Sequence, residues 1–351
     1  MNLSRRHKTL FVCLFAILFF ASLLFWFLLI PPSHTSLTKV IMIKKGTPLR
    51  KISGLLEQEG IIRNREFFIG MVTLLGKKRE IKAGEYEFHT RMLPFEVLSS
   101  LAKGQVKRHL VTIPEGYTLS QIGQLLEDLS IAEKTTFLQK AASPAFIASL
   151  GLLEHFSNQT EDSPQKKGGM TLEGYLFPDT YHFIKEMEPE EMIRMMTHQF
   201  RKIFGPDLIE KASQLGISPR EAVILASIIE KEASLSEEKP LVSAVFHNRL
   251  KRRIPLQSDP TVIYGISNFD GNLTKEHLLT PSPFNTYLNW GLPPTPICNP
   301  GKESMMAALN PASVPHLYFV SKNDGSHHFS ESYEEHQHAV GKYQKTPLRK
   351  N

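Results

Sequence analysis

The stretch from Ser218 to Ala233 sets the strongest limit on how this chain can fold. Ser218 suits an N-cap, Pro219 suits the first helical position, and Glu221 stands three residues after the cap, the pattern of a capping box. From Ala222 to Ile229 the helix is apolar on nearly every side, Ser227 excepted, so other elements must surround it. Glu230 enters that setting with the small residues Ala226 and Ala233 beside it at helical spacing, which leaves room for a ligand. Withdrawal from water disfavours the charged form of a carboxyl, the condition a general acid needs. The plainer alternative is a carboxylate that opens the polar end of a core helix and pairs with Lys231 or a distant arginine. Glu232, about 200° further round the helix, is expected to lie off any groove that Glu230 faces.

A chain of 351 residues has room for about two domains with cores of their own. Its net charge is +6, but Arg5, Arg6 and Lys8 supply three of those charges, and the rest carries 38 basic against 35 acidic residues. An excess of three gives no electrostatic footprint for nucleic acid. The two cysteines, Cys13 and Cys298, stand far apart and in unlike settings, so no disulfide is expected. The histidines form no HExxH pair and no cysteine cluster accompanies them, so neither a metal nor a cofactor is expected.

Leu10 to Ile30 is twenty-one residues without a charge, long enough for the hydrocarbon core of a bilayer. The basic residues before it place residues 1–9 in the cytoplasm and the chain beyond Pro31 outside, as a single-pass anchor of the cytoplasmic membrane followed by a linker over 31–39. A cleaved signal peptide is the competing reading, but the run is longer than a usual signal core and no small-residue cleavage site precedes Pro31.

An internal repeat follows. Ile41, Ile43, Gly46, Leu49, Ile52, Leu56, Ile61 and Phe67 recur seventy residues on as Val111, Ile113, Gly116, Leu119, Ile122, Leu126, Ile131 and Phe137. Each copy reads as a short strand, a glycine turn and an amphipathic helix, and Gly84–Phe88 alternates like a further strand. The first copy forms a small α+β module over 40–108; the second, with a connecting segment, fills 109–165. Ser157–Gly169 holds no apolar residue and reads as a solvated boundary. From 166 to 345 the chain is mainly helical, with helices at about 190–204, 206–215, 219–234 and 237–251, then polar and aromatic loops. A C-terminal hairpin turns at Asn323-Asp324-Gly325, and 346–351 is a tail. The fold class is therefore α+β.

Seven blocks occur in order: Leu172–Tyr181, Leu225–Glu232, His247–Leu250, Leu256–Tyr264, Asn285–Tyr287, Gly291–Pro294 with Asn299–Gly301, and Leu317–Val320. Together they resemble the YceG-like (MltG) family of membrane-anchored endolytic murein transglycosylases, over about residues 35–345. The first module is similar to the LysM-like region of such proteins; a spacer that lifts the rest off the membrane is its alternative. The resemblance implies cleavage of the β-1,4 bond between N-acetylmuramic acid and N-acetylglucosamine within peptidoglycan strands, leaving 1,6-anhydro ends and ending strand elongation. Glycosidases ordinarily need two carboxylates. A lytic transglycosylase needs one, because the sugar's own C6 hydroxyl is the nucleophile.

By the family pattern the acid is the first glutamate of Ile228–Glu232, which is Glu230. Glu173, Tyr175, Asn248, Gln257, Asp259, Tyr264, Asn285 and Tyr287 are candidates to hold the glycan, with loop-fixing as the alternative for each and helix capping for Asp259. The expected partners are peptidoglycan strands, the membrane through residues 10–30, and peptidoglycan synthases such as penicillin-binding proteins. A non-enzymatic glycan-binding scaffold for those synthases is the alternative function, though it leaves the buried acid and its polar loops without a purpose.

Overall fold

The computed structural model describes residues 5–152, 170–185 and 187–344, with the side chains of residues 5–10, 21, 24, 25 and 29 outside that set. The boundary expected over 157–169 and the tail 346–351 fall outside the described residues. The chain divides into two compact units. One comprises residues 1–109 with 182–186; the other comprises 110–181 with 187–351.

The first unit begins with α1 (Arg5–Leu29). Among the described residues no helix is long and apolar enough to cross a membrane. The end of α1 is also not the free stalk that an anchor followed by a linker would give. Phe27 is 2% exposed, inside the unit's core. Its ring stacks on Phe67 at 5.3 Å, and the Arg63 guanidinium covers Trp26 at 4.3 Å. Apolar residues at the end of a membrane-like run can equally serve a protein core, and composition does not separate the two.

The expected strand, turn and helix follow as β1 (Thr38–Ile43), Gly46 and α2 (Leu49–Gln58), then α3 (Arg65–Leu74). Gly46 takes φ +80°, the left-handed turn conformation that glycine adopts without strain. Asn64 caps α3, accepting from the backbone N–H of Glu66 and Phe67. Strand β2 (Gly84–His89) pairs antiparallel with β1, placing Ile41 opposite Tyr86, and α4 (Pro94–Lys103) completes the unit's core.

The second repeat copy gives β3 (His109–Thr112), a turn at Gly116 with φ +76°, and α5 (Leu119–Asp128), followed by α6 (Lys134–Ala141) and α7 (Pro144–Ser149). Here the strand partner differs: β3 pairs with β4 (Thr180–Phe183). Next come α8 (Pro189–Ile203), α9 (Pro206–Gln214), α10 (Pro219–Glu232) and α11 (Lys239–Lys251). Short helices α12 (Asp259–Tyr264), α13 (Lys275–Leu279) and α14 (Lys302–Leu309) are set among loops. The chain closes with the hairpin β5 (Tyr318–Ser321) and β6 (His327–Ser330) and with α15 (Tyr333–Tyr343).

Helix α10 is the axis of the second unit. Its capping box forms as the sequence requires: Glu221 N–H donates to Ser218 Oγ, and Ser218 N–H donates to Glu221 Oε2 at 2.8 Å. Every residue from Ala222 to Ile229 is buried, and α9, α11, α12 and α14 pack around the helix. Ser227, the polar exception, donates to Ile224 O and accepts from Ile297 N, so its hydroxyl pins the extended segment before Asn299 to the axis. Cys298 lies beside it with Sγ 3.3 Å from Ser227 O, which gives this thiol a packing role.

Candidate active site

The last turn of α10 presents two carboxylates to two different surroundings. Glu230 faces a closed one. Its Oε2 accepts from Gly301 N at 3.0 Å and Ser304 Oγ at 2.6 Å, and Lys239 Nζ lies 3.6 Å away. Lys239 is itself buried and also stands 3.8 Å from Glu303 Oε2, which in turn accepts from Ser236 Oγ. The turn of the second repeat covers this face: a side chain built on Gly116 would meet Glu230 Cγ at 3.5 Å, and Lys231 Nζ donates to Gly116 O. Glu115 in the same turn has its carboxyl pushed above the usual range, first by burial and then by the charges of Glu230 and Glu303. A Cβ on Gly301 would collide with that carboxyl, so glycine there lets both acids approach the start of α14.

Glu232 faces the irregular loops. Ser258 Oγ donates to its Oε1 at 2.5 Å, and Ser258 is held in turn by Thr286, whose Oγ1 accepts from Ser258 N. Thr261 Oγ1 donates to Ser258 O and sits 2.8 Å from Thr286 Oγ1, while Gln257 N donates to Thr286 O. Two segments distant in sequence, 257–261 and 285–287, are thereby locked into one wall beside the acid. Burial first, and then the Asp259 charge, push the Glu232 carboxyl up to about 7. The Ser258 hydrogen bond and the Arg249 charge oppose that rise. A group titrating near neutrality can both give and take a proton, as general acid–base work requires.

The expectation that Glu232 lies off the groove is therefore corrected. The loops that were to form the groove wall surround Glu232, and Glu230 is enclosed by backbone, a serine and a lysine. Helical spacing separated the two acids rightly but could not say which side the loops cover.

Of the residues expected to hold a glycan, Gln257, Asp259 and Tyr287 lie on the Glu232 side. Gln257 and Asp259 are exposed, and the Tyr287 hydroxyl donates to Asp259 Oδ1 at 2.6 Å. Asp259 occupies the first position of α12 without capping it, because its carboxylate is turned to Tyr287. The other five are engaged within the protein. Glu173, 3% exposed, accepts from Leu119 N, Asn299 Nδ2 and Tyr264 OH, and burial pushes its carboxyl up to about 8. That hydrogen bond commits the Tyr264 hydroxyl as well. Tyr175 is fully buried, edge-on to Phe200 at 5.1 Å. Asn285 donates to Leu278 O and Thr280 O and accepts from Tyr287 N, so it shapes the loop from within. Asn248 likewise donates to Val314 O and His316 O. The hydrogen bonds of Glu173, Tyr264, Asn285 and Asn248 within the protein fit the loop-fixing alternative for these residues.

Ser258, Thr286 and Arg249 were missed as site residues although they stand in the blocks quoted above. Arg249 is the scaffold of the wall. Its Nε donates to Leu317 O at 2.7 Å and its Nη1 to Pro255 O, Leu256 O and Gln257 Oε1. An arginine whose plane satisfies several carbonyls fixes loop geometry as a lysine would not. Gln257 keeps φ at +51°, strain that those hydrogen bonds hold in place. Among the described residues no group of three or more His, Cys, Asp or Glu stands in a metal-binding arrangement.

The family model of the YceG-like family matches residues 41–342. The endolytic murein transglycosylase of Bacillus subtilis (strain 168) is 32% identical over 319 residues, covering 90% of this chain and 88% of that protein. A protein of the same name from Streptococcus pneumoniae serotype 2 is 29% identical over 325 residues; the match covers 87% of this chain but 58% of the pneumococcal one. Among solved structures, the crystal structure of a yceG-like protein from Listeria monocytogenes matches with a TM-score of 0.59 at 32% identity, over 86% of this chain and 98% of that one.

Proposed function

This chain belongs to the YceG-like family, and from that premise we propose that it is an endolytic murein transglycosylase in which Glu232 is the single acid and base. The observation that carries the assignment is the Glu232 carboxyl, brought to about 7 beside a wall of loop hydroxyls. The relatives named for this activity supply the substrate class. Protonated Glu232 gives its proton to the glycosidic oxygen as the bond to C1 of N-acetylmuramic acid breaks. The carboxylate so formed takes the proton of the C6 hydroxyl, whose oxygen closes on C1 to leave a 1,6-anhydro ring. The carboxyl ends the cycle protonated, and no water enters. Asp259, 2.6 Å from the Tyr287 hydroxyl, supplies negative charge on the same side, which favours both a protonated Glu232 and a developing oxocarbenium ion.

Glu230, on this reading, is a structural acid that neutralises Lys239 and holds α14 to α10. The uncharged run Leu10–Ile30, with Arg5, Arg6 and Lys8 before it, supports a single-pass anchor with the enzymatic part outside the cytoplasmic membrane. The first unit is then the LysM-like module that brings the enzyme to glycan. Mass analysis of products from purified sacculi tests the reaction. Strands ending in 1,6-anhydro-N-acetylmuramic acid are expected; reducing ends would show that water is the nucleophile and overturn the mechanism.

A further inference from the structure

An apolar groove of about 920 Å³ opens on the first unit where the end of α1 meets α3 and α4. Phe27 and Phe67 line it together with Met71, Leu74, Leu75 and Phe95. Its rim stands in the open: Leu74 is 89% exposed, Phe95 61% and Leu75 45%. Large apolar side chains gathered this way mark a surface with a partner.

From this geometry we infer that the groove and its rim form a lipid-contacting surface seated in the outer interface of the bilayer that α1 enters. The inference rests on the membrane anchor proposed above. A hydrocarbon core about 30 Å thick takes about 20 helical residues at 1.5 Å each. Leu10–Ile30 provides twenty-one, so the span uses the run to its end. Phe27 then lies about 5 Å from the outer boundary of the hydrocarbon. Yet Phe27 is packed in the core of the first unit, so the residues that cover it lie at that same depth. A unit that grips the helix there cannot stand clear of the membrane.

Two further features fit a lipid surface. Arg63 Nη2 donates to Pro31 O at 2.6 Å, just beyond the span, while its guanidinium covers Trp26 one turn further in, so the cation reaches outward from an aromatic near the interface. The exposed end of α3 also runs directly into Lys77, Lys78 and Arg79. Lys77 pairs with Glu80, but Lys78 and Arg79 make no ion pair among the described residues. Cations beside an apolar rim are drawn to the anionic headgroups of a leaflet that holds them. A protein partner would meet the apolar rim as well, but it would have to fit against a helix already sheathed in lipid.

The full-length protein in vesicles of phosphatidylethanolamine and phosphatidylglycerol tests this through tryptophan quenching by brominated lipid. One variant keeps Trp26 alone (Trp290→Phe); the other carries Leu74→Trp with Trp26→Phe and Trp290→Phe. Lipid brominated near the headgroup should quench position 74 to a degree comparable with Trp26, and more strongly than lipid brominated near the chain ends. Quenching of Trp26 without quenching at 74 would overturn the lipid surface and leave the anchor standing. Loss of quenching at both positions would overturn the anchor and this surface with it. A blue-shifted but unquenched position 74 whose emission changes with protein density would identify a second copy of the chain as the occupant, which also refutes the proposal. Unchanged thermal melting of the Leu74→Trp protein shows that its fold is intact.

Discussion

Glu232→Gln separates catalysis from stability, because the same environment that fits the carboxyl for proton transfer makes its charge costly. The folded protein carries this group from 4.5 to about 7. Between those values the folded state keeps a proton that the unfolded chain has released, so the parent loses stability as pH rises through that window. The contribution is complete below about 4.5 and gone above about 7. At about 1.4 kcal/mol per pH unit, the loss is on the order of 3 kcal/mol. Glutamine mimics the protonated acid and has no such slope. The variant should therefore match the parent near pH 4.5 and exceed it at pH 8 by up to that amount, read as the difference between paired thermal or urea unfolding curves. Activity should move the opposite way. Without a proton to give, cleavage of murein should fall by about 10²–10⁴, the usual worth of general acid–base assistance. The parent's rate should also decline as pH rises above about 7, when the acid form empties. A folded Glu232→Gln protein that still cleaves murein would refute the assignment, and an unchanged stability difference between pH 4.5 and 8 would refute the environment inferred for the carboxyl.

Glu230→Gln should give the reverse pattern: Lys239 loses its nearest counter-charge, so the melting temperature should drop while kcat on murein holds. The loss should fall toward the low side of the about 3–5 kcal/mol typical of a broken buried pair, since Glu303 still faces the lysine. A fall in kcat matching that of Glu232→Gln, at unchanged melting temperature, would return the acid's role to Glu230. Asn299→Ala should destabilise the second unit by about 3–5 kcal/mol, because it removes hydrogen bonds to Gly174 N, Leu176 N, Tyr117 O and Glu173 Oε1 at around 1 kcal/mol each and leaves buried groups unmatched. A thermal shift too small to detect would show that those loops find other partners.

What local chemistry dictates was legible in the sequence. The capping box and proline at the start of α10 fix that end, and the four helices from α8 to α11 fall within about two residues of where their periodicity placed them. Asn323 and Gly325, both at positive φ, turn the hairpin at the expected place. Partners chosen over long distances were not legible. The two repeat copies carry the same pattern, yet β1 pairs with β2 while β3 pairs with β4, some seventy residues further on. Phe27 was indistinguishable from its lipid-like neighbours because nothing local records that Phe67 stacks on it. Polar loop residues raised the same difficulty. Asn285 and Gln257 both look like surface groups, but Asn285 is matched to two carbonyls inside its own loop and Gln257 stays at the surface.

The two acids of α10 bring that limit to a single turn of helix. Apolar residues fill every side of the helix before Glu230, so the pattern gives no direction in which solvent or substrate must lie. Two positions apart, Glu230 and Glu232 must point to different sides. Everything that distinguishes those sides arrives from elsewhere. Lys239 comes from the start of the following helix, and Gly301 and Ser304 come from a helix end some seventy residues downstream. Ser258 comes from a loop that a threonine at 286 holds in place. Two donors and a cation meet one oxygen of Glu230, whereas Glu232 receives one hydroxyl, the repulsion of Asp259 and the more distant charge of Arg249. Glu230 is thereby tied to the start of α14 and to Lys239, contacts that hold the fold together. The acid left short of partners beside an open loop wall is the one whose proton can move.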